Sequence, residues 1–135
     1  MTGFAGSFAT FPNFVVYFSL GGLLTALFVL LYVNLTQHDI ALIRAGNHAA
    51  AIVLVGALLG FEAPLATVIA HSVAIADVLV WGVVALVVQL AGFIVTRMVL
   101  PHLPQAIAAG NIADAVLLAG ISLALGVLTA GCMAG

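Results

Sequence analysis

Residues 47–70 read NHAAAIVLVGALLGFEAPLATVIA, an apolar run with one charged residue, Glu62. A helix of about 20 apolar residues crosses a hydrocarbon core about 30 Å thick. The run is too long and too continuous for a strand of a membrane barrel, which alternates over about 10 residues. Three more runs of this kind lie at 13–34, 77–100 and 111–133. The chain therefore reads as an all-α integral membrane protein, a four-helix bundle.

Composition points the same way. Of 135 residues, 66% are hydrophobic and 4% are charged, and the mean hydropathy is +1.42. A soluble domain carries about 25% charged residues. A soluble enzyme and a disordered tail are excluded on these grounds. The chain has two Arg, no Lys and a formal charge of −2, so it offers no basic patch to nucleic acid. A lone Cys132 closes no disulfide within the chain and builds no metal cluster. It reads as a small apolar residue near a helix end, with a lipidated or redox thiol as the alternative.

Orientation rests on the two arginines. The first twelve residues, MTGFAGSFATFP, lack the basic region of a signal peptide, so the first span reads as retained. Phe4, Phe8 and Phe11 are placed to lie in the membrane interface. Arg44 follows the first span and Arg97 closes the third. The positive-inside rule then puts the 35–46 and 101–110 loops in the cytoplasm and both termini outside.

The chain also repeats itself. AGNHAAAIVLVGALLG at 45–60 and AGNIADAVLLAGISLA at 109–124 share an offset of 110 − 46 = 64 residues. That offset also pairs Tyr17 with Trp81, His38 with His102 and Ile43 with Ile107. We read an interfacial segment at 1–12 and two tandem two-span units, 13–70 and 71–135. Two spans per unit insert both copies in the same sense, with the pseudo-symmetry axis along the membrane normal. At each junction a short helix is expected to end on Gly46 or Gly110, because glycine tolerates the left-handed conformation there. Asn47 and Asn111 then cap the spans that follow. Asp114 falls three residues after Asn111, where a carboxylate favours a helix start; a cation or proton ligand is its alternative. Gly56 and Gly60 form a Gly-x-x-x-Gly step, with Gly120 and Ala124 as its counterpart. Such steps let helix backbones approach closely, here in spans two and four or between chains.

Polar residues inside the spans are the other candidates. Glu62 lies deep in span two, where an acidic residue costs about 2.5–3.5 kcal/mol. Pro64 follows it. Either the proline ends or kinks the helix and lets Glu62 reach water, or Glu62 is a protonatable group or cation ligand in a cavity. Asp77 reads as a helix cap and Trp81 as an interfacial anchor. Gln89 shares a helical face with Gly92 and Thr96 and needs a partner on another helix. Arg97 reads as snorkelling to the headgroups. The candidate functional polar residues are thus Glu62, Asp77, Gln89, Arg97 and Asp114. His38, His48, His71 and His102 sit near span ends without metal-ligand spacing. No catalytic or cofactor motif is present, so the chain reads as non-enzymatic and cofactor-free.

Residues 59–101 combine Gly60-Phe61, Pro64-Leu65, Ser72, Asp77, Trp81-Gly82, Gln89 and Arg97. With Gly46-Asn47, Gly110-Asn111 and Cys132-Met133, this combination resembles the small bacterial inner-membrane proteins of the YjfL type, a family known as a domain of unknown function (DUF350). Glu62 stands outside the family pattern. The resemblance implies a four-span, twice-repeated protein of the bacterial inner membrane, with both termini then periplasmic. It also implies association, through gene context, with membrane-stress proteins of the phage-shock type and polyamine-related ligases. It supplies no reaction. The expected role is an oligomerising scaffold in the lipid bilayer that recruits a cytoplasmic or membrane protein partner. A small oligomeric channel or transporter using Glu62, Gln89 and Asp114 is one alternative. An accessory subunit of a larger membrane complex is another.

Overall fold

The structure, a computed structural model, describes residues 11–36, 39–71 and 74–134. Phe4, Phe8, His38 and Ser72 lie outside the described residues. The elements run α1 (Phe11–Thr36), α2 (Asp39–Arg44), α3 (His48–His71), α4 (Ile75–Val99), α5 (Leu103–Ala108) and α6 (Ile112–Ala134). Helices α1, α3, α4 and α6 are each long and apolar enough to cross a membrane. Every described element is helical, as a bilayer demands of a chain that must satisfy its own backbone polar groups.

Helix α3 is the hub and the most buried of the four spans. Its Gly56 and Gly60 face α6, where they meet Ala119 and Ser122. On its other side Phe61 stacks on Phe28 of α1, with ring centroids 4.6 Å apart and 6° between planes. Tyr32 extends that cluster and meets Phe93 of α4 edge-on at 5.2 Å. Leu24 of α1 lies over Gly82 of α4. Phe28, Tyr32 and Phe61 are completely or almost completely buried. Outward-facing Leu23, Leu30, Val80, Val127 and Leu128 are exposed, a surface that lipid tails solvate and water would not.

The two junctions repeat bond for bond. Gly46 N–H donates to Ile43 O and Asn47 N–H to Leu42 O; 64 residues on, Gly110 N–H donates to Ile107 O and Asn111 N–H to Ala106 O. Gly46 and Gly110 sit at φ +88° and +84°, the left-handed region where a side chain is strained. Asn47 Oδ1 then accepts from Ala50 N–H at 3.1 Å. Asn111 Oδ1 accepts from Asp114 N–H at 3.2 Å. One difference ties the copies together: Asn47 Nδ2 donates to Ile107 O at 2.8 Å and to Ala108 O at 3.3 Å. Asn47 thus caps the start of α3 and the end of α5 at once.

Three local expectations are corrected. Asp77 is not the cap residue of α4: the helix starts at Ile75, the cap position is Ala74, and Asp77 reaches back from the first turn to accept from Ala74 N–H at 3.3 Å. Pro64 does not end α3, which continues to His71 with Pro64 buried inside it. Gly120 and Ala124 do not pack against α3. Both are exposed, and a Cβ on Gly120 would meet nothing within 4 Å. The buried face of α6 runs through Ala115, Leu118, Ser122 and Gly126, and Gly120 is turned about 100° from Ala119.

Candidate functional site

The polar groups of the membrane centre form two contacts, one within each half of the chain. The first lies where α3, α4 and α6 meet. Gln89 is buried on α4, and its Nε2 donates to Ser122 O of α6 at 2.9 Å. A carbonyl has two lone pairs, so Ser122 O accepts this bond beside its helical one. Gly60 of α3 closes the site from the third side: a Cβ there would collide with both Gln89 Nε2 and Ser122 O. One helical turn along α4, Gly92 makes the space that Leu125 of α6 fills.

Pro64 contributes to this node from a distance. It has no N–H, so the helical partner of Gly60 O is missing. That carbonyl lies against Gly126 of α6, where a Cβ would collide with it. Gly126 thus allows a backbone Cα–H to approach a carbonyl that lacks its helical donor, a weak but favourable contact. The proline, Gly60 and Gly126 act as one packing unit.

The second contact joins α1 to α3. Thr25 Oγ1 bonds Gly21 O, one turn back, at 2.9 Å and also Glu62 Oε1. Glu62 lies about 21 Å from the start of α3 and about 13 Å from its end, at hydrocarbon depth. It is only partly exposed. Its polar partner Thr25 is on a neighbouring helix.

The first members of these contacts are related by the 64-residue offset. Thr25 corresponds to Gln89 (89 − 25 = 64) and Glu62 to Gly126 (126 − 62 = 64). In each half, a polar residue at the same position of the first span reaches the second span, though Ser122 corresponds to Leu58, one turn from Glu62 (122 − 64 = 58). In the first half its partner is the Glu62 side chain. In the second it is a backbone carbonyl one turn from Gly126.

The remaining candidates lie at helix ends. Arg97 Nη1 donates to Leu35 O at 3.3 Å, placing a cation at the carbonyl end of α1. Asp114 Oδ1, in the first turn of α6, is 3.8 Å from Nε2 of His102, the residue before α5. Glu62, Gln89 and Asp114 therefore make separate contacts within the chain. Gly60, which touches Gln89, and Glu62 are two residues apart and so about 200° apart round α3. Among the described residues no three His, Cys, Asp or Glu are grouped to hold a metal ion. Sequence reading had not singled out Thr25, Ser122 or Gly126 for these contacts. The 64-residue offset was the signal that pairs Thr25 with Gln89.

The family described as Domain of Unknown Function (DUF350) matches residues 6–133. The chain is 35% identical over 121 residues to the UPF0719 inner membrane protein YjfL of Escherichia coli (strain K12), covering 89% of this chain and 92% of that relative. The protein of the same name from Escherichia coli O157:H7 matches to the same extent. No solved structure matches.

Proposed function

The chain belongs to the DUF350 family, and from that premise we propose that it is a non-catalytic membrane scaffold that assembles with further copies and holds a protein partner. The relative is named an inner membrane protein, and four apolar helices fit multi-pass insertion. The observation that carries the reading is the pairing of the mid-span polar groups. Gln89 is bonded to Ser122 O and Glu62 to Thr25, each within the chain. Groups engaged with a neighbouring helix at hydrocarbon depth support a role in holding helices together.

The assembly part of the reading rests on a different face. Gly56 and Gly60 are occupied by α6, so contact between copies falls to outward surfaces, with Gly120 and Ala124 the small residues left open. Mass measurement of the purified chain in lipid nanodiscs tests this. The reading expects two or more copies, reduced towards one by Gly120→Leu with Ala124→Leu. A monomer mass for the wild-type chain removes self-assembly from the proposal.

One observation favours the channel or transporter reading: a carboxyl group at hydrocarbon depth that is still partly exposed. That reading assigns Glu62 a changing ligand or proton, and its test is ion flux.

A further inference from the structure

A groove of about 750 Å³ opens at the end of the bundle opposite Arg97, with α4 and α6 as its walls. The 64-residue offset maps its lining onto the first half of the chain. Trp81, Val84 and Val88 of α4 fall on Tyr17, Leu20 and Leu24 of α1. Leu125, Thr129 and Met133 of α6 fall on Phe61, Leu65 and Ile69 of α3. All six counterparts belong to the hydrophobic core or pack against it. Helix α4 packs on both α1 and α3, and its Gly82 meets Leu24 in that strip. The strip between α1 and α3 is thus covered by a helix of the same chain, and its counterpart between α4 and α6 is the open groove.

The same offset names the helix that fits the groove. On α4, Gly82 meets the strip and Val78, one turn earlier, is fully buried. Their counterparts on α1 are Phe18 and Phe14. Both rings face out of the bundle, 68% and 61% exposed, and they stack with centroids 5.5 Å apart. Side-chain sizes are exchanged between the two sites. Phe61, Leu65 and Leu24 give way to the smaller Leu125, Thr129 and Val88, while Gly82 and Val78 give way to the larger Phe18 and Phe14. Trp81 for Tyr17 is the exception. A roomier wall with a bulkier insert restores the close packing of a protein interior. A second pair of faces follows the same rule. Gly56 and Gly60 of α3 receive Ala119 and Ser122 of α6. Their counterparts Gly120 and Ala124 stand open, and Val55 and Leu58, the counterparts of Ala119 and Ser122, are exposed and partly exposed.

We propose that the groove takes α1 of a second copy of this chain, with Phe14 and Phe18 inserted between α4 and α6, while Val55 and Leu58 of that copy lie on Gly120 and Ala124. The inference rests on the self-assembly reading above and gives the assembly a direction. The first half of one copy sits on the second half of the next, as the second half sits on the first within the chain. Two spans per half keep every copy in the same sense across the membrane. The contact joins unlike faces, so it builds a ring when the rotation from copy to copy closes.

Photo-crosslinking of the full chain in lipid nanodiscs tests the proposal, with the mass of each assembly measured alongside. The probe is benzoylphenylalanine in place of Phe18, a ring that inserts into neighbouring C–H bonds and needs no polar partner. A crosslinked dimer is expected, with the adduct on groove residues of α4 or α6 such as Val88 and Leu125. The same probe in place of Leu23, also exposed and about 140° round the helix, is expected to give no groove adduct. Phe14→Ala with Phe18→Ala changes only exposed rings and is expected to reduce the copy number to one while circular dichroism reports unchanged helix. A monomer mass for the wild-type chain removes self-assembly and this inference together. A multi-copy mass with adducts from position 18 on α1 of the other copy, or on lipid alone, overturns the head-to-tail contact and leaves self-assembly standing. So does a groove adduct from both probe positions alike, or a copy number that the double alanine variant leaves unchanged.

Discussion

Gly126 carries more of the packing than its plain sequence context announces. It faces a carbonyl that Pro64 has left without a helical donor, and a Cβ there has no room. Gly126→Ala is therefore expected to destabilise the protein by about 1–3 kcal/mol, the range for overpacking a filled interface. Gly120→Ala, in open space, is expected to be neutral or stabilising by up to about 1 kcal/mol, because alanine is the better helix former. Thermal unfolding in mild detergent separates the two, and equal effects would remove the distinction. Glu62→Gln retains a side chain that bonds Thr25, so it is expected to unfold with the wild type. Glu62→Leu removes that bond and is expected to lose about 0.6–1.7 kcal/mol, the range for interhelical hydrogen bonds in membranes. Sequence alone identified Glu62 and Gln89 as residues that need an account. It could not name their partners, because a 200° turn between neighbouring positions of α3 decides which helix each one meets.

The helices themselves were the most legible part. An uninterrupted apolar run has one stable form in lipid, so α1, α3, α4 and α6 follow from length and composition. Register between helices was less legible. Gly56 and Gly60 repeat in sequence as Gly120 and Ala124, yet α6 turns Ser122 and Gly126 inward and leaves Gly120 and Ala124 exposed. The junctions also carry an asymmetry that the repeat conceals. Asn47 caps α3 and holds two carbonyls at the end of α5, whereas Asn111 is exposed at its own cap. Losing an Asn cap costs about 1 kcal/mol. Asn47→Ala is expected to exceed that and Asn111→Ala to approach it, by thermal unfolding; a larger loss at Asn111 would contradict the bridging role. Orientation is testable through the natural Cys132, which is exposed near the end of α6. A membrane-impermeant maleimide is expected to label it from outside intact cells. Labelling only after permeabilisation would invert the orientation read from Arg44 and Arg97.

At the scale of the whole molecule, the chain is four spans gathered round α3, with two polar contacts inside the bundle and an apolar surface outside it. Thr25 and Gln89 stand 64 residues apart in sequence, and one reaches a carboxyl and the other a backbone carbonyl. The scaffold reading depends on these groups being structural. The most direct test is flux through lipid vesicles reconstituted with the purified wild-type chain, read with proton- and potassium-sensitive dyes under an imposed gradient. The account predicts leakage no greater than that of empty vesicles, for the wild type and for Glu62→Gln alike. A reproducible wild-type flux that Glu62→Gln abolishes would contradict it and make Glu62 part of a transport pathway.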